Sequence, residues 1–333
     1  MKKITLFLLL ISLSFSFCGK KKYEDLYTIG IFQFNDAPHL NEVRKGVVRA
    51  LWDNGFQDGV NIQLETRNGN GSTPEVQRIA QEFVEMNVDM IVAISTPCLQ
   101  AALIATHEIP IIFSSVANPY LAGAGKSAQN HMRTVTGVAS RGPIRQSFAF
   151  IMEALPGAKR IGTLWTPSEI NSEYYLELAR REGKKFGLEI VDVPIANKSQ
   201  VLHSAQVLIN KKIDAIYQIS DNTINESFQD VGNVARENAV PLFGGFLFST
   251  QLGACAALGW DFFEMGYKTG EIAIRVKSGE NPVDIPIQSM SKVRIHLNLP
   301  VAEKQGIRFS DEYLKKADEI IRSENNSRFL SDS

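Results

Sequence analysis

The stretch Asp89-Met90-Ile91-Val92-Ala93-Ile94-Ser95-Thr96-Pro97 decides how the rest of the chain is read. Five apolar residues follow one another without a polar break, the pattern of a strand buried on both faces. They end at two hydroxyl residues and a proline, which is how a helix begins: Ser and Thr cap free amides, and Pro suits the first turn. A buried strand that passes directly into a helix is the repeating unit of a parallel α/β sheet.

The same unit recurs on both sides. Tyr27 to Phe32, Val60 to Thr66 and Ile109 to Ser114 read as further strands of one series. Between them lie a helix spaced by Leu40, Val43, Val47, Ala50 and Leu51, another from Pro74 to Met86 capped by Thr73, and a third from Leu99 to His107. A second series follows, with strands at 159–165, 188–194, 214–220, 240–243 and 254–260 and helices at 174–186, 199–210 and 225–237. Two complete series predict an α/β protein of two doubly wound parallel-sheet lobes. Thr134 to Val138 reads as the first passage between them. Phe262 to Lys277 then has helical spacing, Val293 to Leu297 reads as a strand, and Asp311 to Arg322 as a last helix. These late segments must find places on lobes already formed, which predicts a multi-strand hinge. The first lobe is expected to comprise residues 27–138 with roughly 262–292, and the second 139–261 with roughly 293–333.

A chain of 333 residues is long enough for two cores. Its net charge of −1 provides no field to gather nucleic acid, so partners must be recognised locally. Lys2 and Lys3 precede the apolar run Ile4 to Phe17, the order of an export signal, and that run is too short to cross ~30 Å of hydrocarbon. Residues 1–17 therefore read as a signal peptide and 18–26 as a tether. Phe15-Ser16-Phe17-Cys18 resembles a bacterial lipoprotein signal, which implies acylation of Cys18 and a membrane-anchored protein facing the periplasm or cell exterior. It lacks the usual Leu three places before the Cys and the small residue just before it; an ordinary cleaved signal and an uncleaved anchor are the other readings. Cys98 and Cys255 fall in different lobes and in no Cys/His grouping, so they read as buried thiols, and no metal site is predicted.

Ligands of open α/β sheets lie beyond the carboxyl ends of the strands. That rule nominates Gln33 and Asn35, Ser95 to Pro97, Ser115 and Asn118, Asn171 and Ser172, Asp221 and Asn222, Gly245 and Phe246, and Asp261. Ser95-Thr96-Pro97 opens a helix and offers hydroxyls and free amides to a carboxylate, or else is a plain cap. Asp221 would serve as the counter-charge that a desolvated ammonium demands, or else caps the next helix. No G-x-S-x-G elbow, no H-E-x-x-H and no complete P-loop occurs; Gly125-Lys126-Ser127 ends like one, but Tyr120 stands where its first glycine belongs. No catalytic residue and no cofactor is expected.

Thr28 to Phe34 reads TIGIFQF, Asp89 to Pro97 DMIVAISTP, and Ile109 to Pro119 IPIIFSSVANP. Ser168-Glu169-Ile170-Asn171-Ser172 and Ser220-Asp221-Asn222-Thr223 follow. In this order the chain, from Tyr27 to about Leu299, resembles the substrate-binding lipoproteins of the tryptophan/tyrosine ABC transporter type. The resemblance implies the type I periplasmic-binding fold, two lobes closing on one small molecule, a permease and an ATPase as partners, and no catalysis. It also implies an aromatic amino acid as ligand: tryptophan, tyrosine or phenylalanine. Ser95, Thr96 and Pro97 would then hold the carboxylate side, Asn171 and Ser172 would reach from the opposite lobe, and Asp221 and Asn222 would meet the ammonium. Gln33 and Asn35 would line the first-lobe wall. Two positions depart from the family pattern: Gly245-Phe246 replaces a frequent acidic pair, and Asn118 a frequent Asp, which makes the pocket less suited to cations and favours a flat apolar group. A sensor of the same shape for a sugar or nucleoside, and a secreted enzyme, are the alternative readings.

Overall fold

Every residue of Met90–Ile94 is buried, as an uninterrupted apolar run requires. A computed structural model describes residues 26–323, so the signal, nearly all of the tether and Cys18 lie outside the described residues. The first series consists of β1 (Tyr27–Gln33), α1 (Pro38–Asp53), β2 (Ile62–Asn68), α2 (Thr73–Glu85), β3 (Met90–Ile94), α3 (Thr96–Ala105), β4 (Ile111–Val116) and β5 (Val135–Ala139). Its strands run β5-β4-β3-β1-β2, all neighbours parallel.

The second series is α4 (Ile144–Ala154), β6 (Arg160–Trp165), α5 (Ile170–Lys185), β7 (Glu189–Pro194), α6 (Val201–Asn210), β8 (Ala215–Gln218), α7 (Asn222–Glu226), α8 (Phe228–Glu237), β9 (Leu242–Gly244) and β10 (Ala256–Gly259). Its parallel strands run β10-β9-β8-β6-β7, with α4 against α5 in one apolar layer and α6 against α8 in the other.

The chain then changes lobes twice more. α9 (Phe262–Lys277) packs along α1, and β11 (Gln288–Ser289) pairs in parallel with β5. The α1–α9 contact is backbone to backbone: a Cβ on Gly266 would lie 2.0 Å from the Val43 carbonyl oxygen, and one on Gly46 2.2 Å from that of Phe263. β12 (Arg294–Asn298), α10 (Leu299–Lys304), α11 (Asp311–Lys316) and β13 (Glu319–Ile321) complete the second lobe. β12 joins β10 antiparallel, so this sheet is parallel with a reversed edge rather than parallel throughout. Three segments thus cross between the lobes: after β5, after β10 and after β11. Trp260 ties two of them, its Nε1 donating to the carbonyls of Ser140 (3.3 Å) and Arg141 (3.1 Å).

Several elements differ from the sequence reading. The helix expected at 225–237 starts earlier and is broken at Ser227 into α7 and α8, because Asp221 caps the Ile224 amide and opens a new turn. The last helix stops at Lys316; residues 319–321 extend instead along β12, whose edge supplies hydrogen bonds that a helix would have to find locally. α4 has no counterpart in that reading, although Ile144, Phe148 and Ile151 bury one face at helical spacing. Ser72, not Thr73, caps α2.

Candidate ligand-binding cleft

The first-lobe wall is built by the step from β3 to α3. Ser95 stands at the N-cap position with φ +101°, a conformation strained for a residue with a Cβ. Its amide donates to the Ser114 carbonyl at 2.9 Å, but its hydroxyl has no oxygen or nitrogen partner. Neither does that of Thr96, and both residues are buried. Pro97 occupies the first turn, and no side chain caps α3. Orphaned buried hydroxyls at the positive end of a ten-residue helix form a seat that wants an anion.

The second-lobe wall holds two buried carboxylates. Asp221 accepts from the amides of Thr166 (2.9 Å) and Ile224 (2.8 Å), with the Ser172 hydroxyl beside it. Glu169, absent from the sequence-derived set, accepts five hydrogen bonds: from Asn171 Nδ2, the Asn222 amide and Nδ2, and the Thr223 amide and hydroxyl, at 2.7–3.1 Å. All these partners are neutral. Burial, and then the charge of Glu169, push Asp221 up to about 7. Thr166 Oγ1, Asn171 Oδ1 and both amide atoms of Asn225 are buried without partners on the same side. The wall therefore has negative charge to offer and a surplus of polar atoms unspent.

The walls meet along a polar seam. Asn35 Nδ2 donates across it to the Asn222 carbonyl (2.9 Å) and Glu226 Oε2 (3.0 Å). The Asn222 side chain reaches the buried ring of His39, which burial lowers to about 4. That ring lies 5.7 Å from Phe246 and 5.1 Å from Phe262. Phe246 itself is wholly buried and packs edge-on against Phe228, so its ring belongs to the second core as well as to the seam. The lobes are closed on one another.

Other nominated residues are engaged in the fold. Gln33 spends its amide on the Asn35 carbonyl, Asn41 and Arg44. Asn118 caps the turn at Tyr120 and Leu121, and Asp261 caps α9. Ser115 sits at the bulge of β4 with φ +56°, half-buried. Gly245 approaches the second sheet, where a Cβ would meet the Gln218 carbonyl oxygen at 3.0 Å. Cys98 and Cys255 are buried free thiols, one in each core.

Two openings flank the closed seam. One, of ≈ 230 Å³, lies at the mouth between Phe34, Asn70 and Gly71 on one lobe and Ser168, Lys198 and Glu226 on the other. The second, of ≈ 560 Å³, lies on the α1–α9 side, floored by Phe246, Phe248, Trp260 and Phe262. Among the described residues no group of three His, Cys, Asp or Glu side chains is placed to hold a metal ion, and no helix is long and apolar enough to cross a membrane.

A family model for the ABC transporter substrate binding protein matches residues 28–321. The chain belongs to this family. It is 35% identical over 298 residues to a tyrosine-binding protein of Clostridioides difficile, covering 89% of this chain and 86% of that one. Its fold, that of the type I periplasmic binding proteins, superposes on an L-Trp complex from Streptococcus pneumonia with a TM-score of 0.83 at 27% identity, covering 88% of this chain and 100% of the other. A ligand-free, open substrate binding protein with adhesive properties from Clostridium difficile, 30% identical, gives 0.67 over 90% of this chain and 100% of that one. In this family member the two lobes touch directly, through the Asn35 hydrogen bonds to Asn222 and Glu226.

Proposed function

We propose that this substrate-binding protein captures an amino acid, an aromatic one by the character of its relatives, between its lobes outside the cytoplasm and delivers it to an ABC permease and its ATPase. The observation that carries this reading is the opposition of charge preferences across the cleft. The first lobe offers unpartnered Ser95 and Thr96 hydroxyls at a helix N-terminus; the second offers Asp221 and Glu169 with no cation beside them. A zwitterion satisfies both at once: its carboxylate takes the hydroxyls and helix amides, and its ammonium neutralises the carboxylate pair. Pro97, Asn171, Ser172 and Asn222 frame these two ends. The tyrosine-binding and L-Trp-bound relatives support an aromatic side chain. The sequence before residue 26 supports export and attachment through acylated Cys18.

A calorimetric screen of the twenty amino acids, with a sugar and a nucleoside as controls, tests the assignment. Tyrosine, tryptophan or phenylalanine is expected to bind, and Ser95→Ala and Asp221→Ala to weaken binding at least tenfold, the loss expected when a buried charged partner is left unmatched. Binding of the sugar or nucleoside alone would overturn it. Mass spectrometry of the mature N-terminus reads the anchor: a diacylated or triacylated Cys18 is expected, and an unmodified terminus refutes it.

A further inference from the structure

One short helix serves both the ligand wall and the opposite lobe. α7 carries Asp221 at its N-cap, and it presents the carbonyl of its first residue, Asn222, and the carboxylate of its last, Glu226, to Asn35. Each half of this contact is prepared within its own lobe. Lys198, in the segment after β7, holds Glu226 Oε1 at 2.9 Å, leaving Oε2 directed at the other lobe. Asn35 is wholly buried and is fixed by the Ala37 amide on its Oδ1 (3.2 Å) and by Gln33 Nε2 on its carbonyl (2.7 Å). Gly71 also faces the carboxylate, with space for a Cβ 3.7 Å from Glu226 Oε2. The contact joins the loops after β1 and β8, with Gly71 after β2 and Lys198 after β7 beside it, while the chain crossings lie on the β5 and β10 side of the two sheets.

We propose that Glu226 is a latch for lobe closure. Lys198 presets one carboxylate oxygen, the other captures Asn35 when the lobes meet, and this contact between the lobes sets the open–closed balance. Because α7 also carries Asp221, a ligand that orders the N-terminus of this helix orders the latch as well. The inference rests on capture by lobe closure and not on which solute is captured. Affinity then depends on how much of the free protein can reach the closed form.

Full-length protein carrying one spin label on each lobe tests this directly. In Glu226→Ala, the ligand-free distance distribution is expected to shift towards longer separations. The best-binding amino acid is expected to bind on the order of tenfold more weakly, through faster release. The ratio of affinities among amino acids and the unfolding midpoint of the ligand-free protein stay as in the wild type. Glu226→Gln, which keeps an oxygen for Asn35 but loses the charge that Lys198 holds, falls between. Asn35→Ala combined with Glu226→Ala loses no more than Asn35→Ala alone, because removing Asn35 already removes the bond that Glu226 makes across the seam. An unchanged distance distribution in Glu226→Ala, or a changed order of preference among amino acids, overturns the latch. If no amino acid binds even the wild type, the solute assignment falls, and the distance distributions still decide the latch.

Discussion

Asp221 keeps its proton far beyond the ordinary range of an aspartate, because it is buried beside a second carboxylate with no cation in reach. Its folded-state pKa of about 7 lies above the ordinary 3.8, so between those values the folded chain holds a proton that the unfolded chain has released. The contribution of this group to stability is therefore present at low pH and is lost as pH rises through that window. Asp221→Asn should remove this slope, and the melting temperature of the ligand-free wild type should fall relative to the variant from about pH 4 to about pH 7. An amino-acid ammonium would expel the proton. Binding at pH 6 is thus expected to release protons and to tighten as pH rises towards 7, as calorimetry in buffers of different ionisation enthalpy would read; proton uptake would contradict the ammonium role. His39 acts with the opposite sign: burial lowers it to about 4, so its neutral form favours folding near pH 7, and that contribution is lost as pH falls below 6.5.

At the scale of elements, the fold depends on α9 lying hard against α1. Gly266→Ala drives a methyl group into the Val43 carbonyl and should cost at least about 2 kcal/mol by urea denaturation, the cost of overpacking a rigid contact. Gly157→Ala, where no atom lies within 4 Å, is the control and should change little. The most central strand of the first lobe was legible because a strand buried on both faces is apolar throughout; Met90–Ile94 needed little more than its own composition. The short helices were not. Asn222–Glu226 is made by a cap and a break, not by a period, and Glu319–Ile321 is a strand only because β12 lies beside it. In the candidate site, Ser95, Thr96 and Asp221 stand out in the sequence as polar residues at strand-to-helix steps. Glu169 stands at an equivalent step before α5, and that position was the available signal; its five donors come from α5 and α7 and have no local signature.

The whole molecule is two lobes joined by three crossings, with Trp260 clamping two of them. Saturation with the ligand should hold the compact form seen here, whereas the ligand-free protein should scatter X-rays with a larger radius of gyration if it opens as its relative does. The melting temperature should rise with ligand concentration, with about 2.7 kcal/mol of stabilisation at one hundred times Kd. Trp260→Phe keeps a smaller aromatic ring and removes the donor that bonds Ser140 and Arg141, and is expected to broaden the range of lobe separations at unchanged ligand selectivity, as spin-label distances would read.

By itself the sequence determined the α/β class, the two series and the polar residues at the strand ends. Those features follow from local burial patterns and from capping, which act over a few neighbouring residues. Only the tertiary structure decided that Asn35 meets Glu226, 191 positions away, and that Glu169 meets Asn222, 53 positions away. It likewise decided that α9 belongs beside α1 and that Gln33 is spent on its own lobe. Each of these depends on the relative position of surfaces built by distant segments, and no spacing along the chain encodes which of several polar side chains will find its partner once two such surfaces close.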